Sequence, residues 1–166
     1  MYKADSPIYV MVDTSPAEIG WVVNQEDKAG VRSPIRFGAK VLSKRHQRYG
    51  QVKHALWGII SAVKVDKVYF IRAEVIIETD CLPILGMVFG CATLDLVMVR
   101  WITCTKFLNL EIRHISGKDN AMANLLSRAR FDNEDGMVSE DEEVGVDFFE
   151  SAQMSANKRG TSALNE

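Results

Sequence analysis

The stretch Ile8-Tyr9-Val10-Met11-Val12-Asp13, then Thr14-Ser15-Pro16, then Ile19-Gly20-Trp21-Val22-Val23, sets the reading of this chain. Residues 8–13 are a β-branched and aromatic run that ends in an acid, and Ser15-Pro16 supplies a turn. Residues 19–23 form a second run of the same kind, closed by the polar residues 24–30. Residues 35–41 make a third strand after Pro34. Three short strands with short loops predict an antiparallel meander. Gly20, inside the second strand, predicts a close backbone approach or a bulge.

Downstream the period changes. Val52, Ala55, Leu56, Ile59, Ile60 and Val63 recur at helical spacing, which predicts a helix over residues 49–64. Residues 75–79 form a fourth strand, again followed by an acid, Asp80. Pro83 opens a short helix to residue 88. Leu94, Val97, Met98, Trp101, Cys104 and Leu108 fall on one side of a further helix. Residues 111–115 form a fifth strand, Gly117 turns the chain, and Asp119 or Asn120 caps a last helix to residue 130. The order β-β-β-α-β-α-α-β-α predicts an α/β fold. Its sheet is mixed and five-stranded, an antiparallel meander followed by parallel strands, with helices on its faces.

The chain has 166 residues, 47% apolar and 25% charged, which suits one domain of roughly 100–150 residues plus an appendage. The division falls at residues 1–131 and 132–166. The net charge of −2 hides an asymmetry: residues 132–166 carry ten acids and two bases, whereas residues 1–131 carry 12 acids and 18 bases. The second segment is therefore −8 and the first +6. An acidic segment with one short apolar cluster (Val144, Val146, Phe148, Phe149) buries too little to offset its ordering entropy. It is expected to be a disordered tail or linker. A basic body beside it points to a polyanionic partner or to self-masking of a basic face. Three cysteines (Cys81, Cys91, Cys104) without C-x-x-C spacing read as buried thiols of a reducing compartment. The longest uncharged apolar run, residues 84–92, is too short to span a bilayer, and no leader pattern is visible.

In mixed sheets, functional groups gather outside the carboxyl ends of the strands. Asp13 and Asp80 each follow a strand. If those strands are adjacent and parallel, the two carboxylates share one crevice, where they could hold Mg²⁺ with help from substrate phosphates. Each Asp also serves as an ordinary turn former after a strand.

Six motifs carry a resemblance. Val12-Asp13-Thr14-Ser15 with Ile19-Gly20-Trp21-Val22-Val23 resembles the T-D-A-S…I-G-A-V-L opening of the RNase H domain in gypsy-type long-terminal-repeat retrotransposon reverse transcriptases. Pro34-Ile35-Arg36-Phe37-Gly38-Ala39-Lys40-Val41-Leu42-Ser43 resembles its P-I-A-Y-A-S-R-x-L-S strand. Tyr49 with Leu56-Trp57-Gly58-Ile59-Ile60 resembles its N-Y…K-E-L-L-A-I-V helix, and Thr79-Asp80-Cys81-Leu82-Pro83-Ile84 its T-D-H-K-P-L. Arg100-Trp101 resembles a later R-W. His114-Ile115-Ser116-Gly117-Lys118-Asp119-Asn120 with Ala123-Asn124-Leu125-Leu126-Ser127-Arg128 resembles Y-x-P-G-K-E-N-x-x-A-D-A-L-S-R. The motifs run in family order over residues 8–130.

The resemblance implies an RNase H-like fold and a chemistry: cleavage of the RNA strand of an RNA/DNA hybrid. In the family, four carboxylates hold two Mg²⁺ or Mn²⁺ ions, which generate the attacking hydroxide and stabilise the leaving oxygen. The first and third carboxylates fall on Asp13 and Asp80. The Glu falls on Ala55 and the last Asp on Asn124. Four carboxylates offset two divalent ions, whereas this site offers half that charge. At an effective dielectric near 20, one unit charge pair at ~4 Å is worth about 4 kcal/mol. Weak or absent metal binding at Asp13 and Asp80, and little or no hydrolysis, are expected.

Other groups lie near these positions. Glu78 is on the same side as Asp80 but nearly 7 Å back along the strand. His54 beside the lost Glu is expected to be an exposed helix residue, and His114 a packed or solvated strand residue. The basic run Lys44-Arg45-His46-Gln47-Arg48, with Lys40, possible support from Lys53, and Tyr49 to pack on a sugar, is the main nucleic-acid candidate. Phosphate contacts there would position a duplex without reading sequence. A solvated loop is the alternative. Lys118, Arg128 and Arg130 form a second basic area. Trp21, Trp57 and Trp101 are expected in the core or at an interface. Three functions follow: an impaired RNase H domain that retains hybrid binding, an active hybrid ribonuclease with a rearranged metal site, and a non-catalytic dimerisation or tethering module. The implied partners are RNA/DNA hybrid and the reverse transcriptase and integrase regions of one polyprotein, with no membrane. The implied location is intracellular: cytoplasm, virus-like particle or nucleus.

Overall fold

The β-rich opening forms three strands: β1 (Ile8–Thr14), β2 (Glu18–Glu26) and β3 (Arg32–Val41). The computed structural model describes residues 6–70, 73–89, 94–108 and 110–129. The expected tail at 132–166, Cys91 and Arg130 lie outside the described residues. After β3 come a 3-10 turn (His46–Arg48), α1 (Gln51–Phe70), β4 (Val75–Thr79), α2 (Pro83–Phe89), α3 (Leu96–Phe107), β5 (Glu111–His114) and α4 (Ala121–Arg128). The strands lie in the order β3-β2-β1-β4-β5. β1 pairs antiparallel with β2 and parallel with β4, and β5 runs parallel to β4. This is the mixed five-stranded sheet that the sequence predicts.

Alternation along β1 buries Ile8, Val10 and Val12 in one core with Leu56, Ile59, Ile60 and Val63 of α1 and Met98, Trp101 and Cys104 of α3. Trp21 and Trp57 join them, as expected. Burial pushes the Cys104 thiol up to about 12, so it stays a neutral packing group at neutral pH. The opposite face of the sheet takes α4. It sits against Gly20, where a Cβ would come 2.6 Å from the Ala123 carbonyl oxygen and 2.6 Å from Leu126 Cβ. The close backbone approach expected at Gly20 is therefore present.

Several boundaries differ from expectation, three of them for a clear physical reason. β2 continues through the polar residues Asn24 and Gln25 to Glu26, because pairing with β1 satisfies their backbone. β3 begins at Arg32 and includes Pro34, which an edge strand tolerates. A register shift between Val23 and Asn24 accompanies it. α1 runs on to Phe70 across a kink at Asp66 (φ −103°, ψ 15°). That Asp66 is fully buried, accepts a hydrogen bond from Trp21 Nε1 at 2.6 Å and forms an ion pair with Arg36. Asn120, one of the two expected caps, occupies the N-cap of α4; its side chain makes no capping bond and is used elsewhere. No helix of the described residues is long and apolar enough to cross a membrane.

Candidate active-site cleft and its basic flanks

The parallel pairing of β1 with β4 sets Val12 opposite Thr79, so Asp13 and Asp80 emerge side by side. They line one cleft of about 460 Å³ together with Ala55, Asn124, Gln51, Ser15 and Arg128. Four elements bring the four positions matched by the resemblance together: β1 carries residue 13, α1 residue 55 and α4 residue 124, and residue 80 lies just past β4.

The two carboxylates differ. Asp13 is 9% exposed, and Ser127 Oγ donates a hydrogen bond to its Oδ2. Ser127 is held by α4, its hydroxyl also 3.0 Å from the Asn124 carbonyl oxygen. Asp80 is exposed at the mouth. Partial burial first, and then the charge of Asp13, push its carboxyl above the usual range; a backbone N–H, His114 and Arg128 pull the other way. Asn120, fully buried, donates from Nδ2 to the Val12 carbonyl oxygen at 3.0 Å. That bond ties the start of α4 to β1 one residue before Asp13. Sequence reasoning misses Ser127 and Asn120 as site residues. Their signal is the packing glycine of β2, because a helix against Gly20 must place its inner face beside Asp13.

The donor set does not fit a paired divalent-metal site. Asp13 and Asp80 supply two carboxylates, Asn124 supplies a neutral amide, and the methyl of Ala55 supplies no ligand. A cation, Arg128, stands on the rim. Among the described residues no group of three or more His, Cys, Asp or Glu could hold a metal ion. Glu78 does not enlarge the set: Arg32 Nη1 binds its two oxygens at 2.9 and 3.0 Å, and the same guanidinium lies 3.5 Å over the Tyr9 ring.

His54 departs from expectation. It is buried, with Nε2 2.5 Å from the His46 carbonyl oxygen, because the 3-10 turn folds back over the start of α1. His46 is buried too, unlike the cations around it in sequence. Its ring stacks on Trp57 at 4.5 Å, and its Nδ1 lies 2.7 Å from Ser43 Oγ. Lys44, Arg45 and Arg48 are exposed. Tyr49 is half-buried, edge-on to His46 at 5.1 Å and tilted against Trp101 at 6.2 Å. Lys40 Nζ is 5.4 Å from the Trp57 ring and Lys53 Nζ 4.4 Å from the Tyr49 ring. Lys53 also bonds Asp95 at 2.5 Å. The aromatic group thus carries Lys40 and Lys53, and the chain runs from the exposed Lys44, Arg45 and Arg48 into Gln51 on the cleft. Across the cleft, Gly117 approaches Asp80, a Cβ there lying 3.5 Å from Oδ2, so the exposed Lys118 stands on the other side. His114 is exposed at the end of β5.

Comparison with known proteins agrees with this architecture. The retrovirus-related Pol polyprotein from transposon opus of Drosophila melanogaster is 28% identical over 123 residues, covering 74% of this chain and 12% of that protein. The chain therefore spans about an eighth of the length of that relative. Among solved structures, a foamy viral protease-reverse transcriptase in complex with double-stranded DNA superposes with a TM-score of 0.55 at 11% identity, covering 69% of this chain and 20% of that one. LC11-RNase H1, isolated from compost, gives 0.53 at 15% identity, covering 75% and 93%. At such identities these likenesses establish the fold. Residues 3–105 match the family model described as the RNase H-like domain found in reverse transcriptase, a span that includes Asp13, Ala55 and Asp80 and stops before Asn124. The chain belongs to that family of RNase H-like domains of reverse transcriptases.

Proposed function

We propose that this chain is the RNase H-like domain of a gypsy-type retrotransposon polyprotein, and that it binds RNA/DNA hybrid without efficient cleavage. One observation carries the reading: residues 13, 55, 80 and 124 line one cleft, and only two of them are carboxylates. The two positions without an acid, Ala55 and Asn124, remove half the negative charge that a pair of divalent ions needs.

Hybrid binding is assigned to the flanking cations. Lys40, Lys44, Arg45 and Arg48 meet phosphates on one side and Lys118 on the other, and the open part of the Tyr49 ring packs on a sugar. Such contacts place a duplex over the cleft by charge and shape. The Pol polyprotein relative supports a setting within a longer polyprotein; the proposal sets reverse transcriptase and integrase regions beside the domain, inside the cell. A structural neighbour, LC11-RNase H1 in complex with RNA/DNA hybrid, supports the choice of ligand.

Cleavage of a labelled hybrid with Mg²⁺ or Mn²⁺ tests the reading. The parent is expected to be silent. Ala55→Glu with Asn124→Asp is expected to gain hybrid-specific cleavage that Asp80→Asn abolishes. A parent that cleaves, and loses cleavage on Asp80→Asn, would overturn the impaired-site reading and favour a rearranged metal site.

A further inference from the structure

The charge split of the chain has a geometric counterpart in the fold. α4 ends at Arg128, which lines the cleft, and Ala129 is the last described residue after it. Gln51, at the start of α1, lines the same cleft, and the exposed Arg48, Arg45 and Lys44 lie just before it in the chain. The Leu42 N–H donates to the Ala17 carbonyl oxygen at 2.7 Å, which fastens the basic loop beside the β1–β2 turn at the cleft rim. The last described residues of the domain therefore share the cleft with the start of α1, just after the basic loop. Eleven positions separate Ala129 from Glu140, a reach of up to roughly 35 Å in extended chain.

Beyond that tether come Glu140, Asp141, Glu142 and Glu143, then Val144, Val146, Phe148 and Phe149, with Asp147 and Glu150 among them. We propose that this acidic segment, residues 140–150, docks on the strip formed by Lys40, Lys44, Arg45 and Arg48 and competes there with nucleic acid. Its carboxylates stand in for backbone phosphates, and its apolar residues meet the half-buried ring of Tyr49. Tethering on a short linker gives the segment an effective concentration in the millimolar range, so weak intrinsic docking suffices to occupy the strip. The inference rests on the hybrid-binding reading for its consequence, but docking itself does not.

The test uses the full chain and its variant Glu140→Gln, Asp141→Asn, Glu142→Gln, Glu143→Gln. Fluorescence anisotropy with a labelled RNA/DNA hybrid reads affinity at several salt concentrations. A zero-length carbodiimide, which joins a carboxylate to a lysine amine within contact distance, reads docking without nucleic acid. The variant is expected to bind hybrid about threefold to tenfold more tightly at low salt, with a steeper salt dependence, because it is free of a competitor that salt also weakens. Amides between residues 140–150 and Lys40 or Lys44 are expected in the parent. Equal affinity of parent and variant overturns the masking. Tighter binding by the variant without those amides overturns docking in favour of long-range repulsion. If neither protein binds hybrid and the amides form, docking stands and the hybrid-binding reading falls.

Discussion

Asp80 illustrates how neighbours set the chemistry of one group. Partial burial and the charge of Asp13 hold its carboxyl above the usual range, so ionisation is harder in the folded chain than in the unfolded one. By linkage, the proton on Asp80 favours folding fully below the unfolded value near 3.8, and that contribution is lost as pH rises through the raised value. Asp80→Asn is therefore expected to match the parent near pH 3 and to melt higher at pH 7. A variant that melts lower at pH 7 would contradict the repulsion between the two acids. Gly20 is a second single-residue determinant. Any Cβ there collides with backbone and Cβ atoms of α4, so Gly20→Ala is expected to cost about 1–3 kcal/mol, read from the urea midpoint. The glycine was recognisable in sequence as a close approach. Its partner was not, because α4 lies a hundred residues further on.

α4 shows how an element is held by contacts that local patterns do not reveal. Its sequence offers two capping candidates, and Asn120 takes the N-cap without a side-chain capping bond. Asn120 instead reaches the Val12 carbonyl oxygen, and Ser127 reaches Asp13. Asn120→Ala removes a buried donor and leaves that carbonyl unpaired, with an expected loss of about 1–3 kcal/mol by chemical denaturation. In α1 the apolar spacing was readable from residue 52 to residue 63, and the helix nonetheless runs to Phe70. The extension passes a kinked, charged residue because Trp21 donates to Asp66 and Arg36 pairs with its charge, from two different strands. The same limit explains His54, which looks like a surface position until the 3-10 turn before it folds over.

Across the molecule, charge is arranged around one crevice. Exposed cations of the β3–α1 connection and Lys118 lie near it in the chain, and two acids, Asp13 and Asp80, line it. Replacing Lys44 and Arg48 by Ala is expected to weaken hybrid binding similarly for every sequence. The salt slope should fall by about two, one for each phosphate that is no longer neutralised. An unchanged slope in a salt titration would place the nucleic acid on another surface.

The element order, the two acids at strand ends, and the absence of acids at positions 55 and 124 were all present in the linear pattern. They depend on local periodicity and on residue identity, which the chain states directly. Strand order, the meeting of residues 13, 55, 80 and 124, the diversion of Glu78 to Arg32, and the burial of His46 and His54 came from packing. Those outcomes depend on which distant groups satisfy a buried charge or an unpaired backbone atom. That balance exists only once the parallel β1–β4 pair and the two helices beside it have formed.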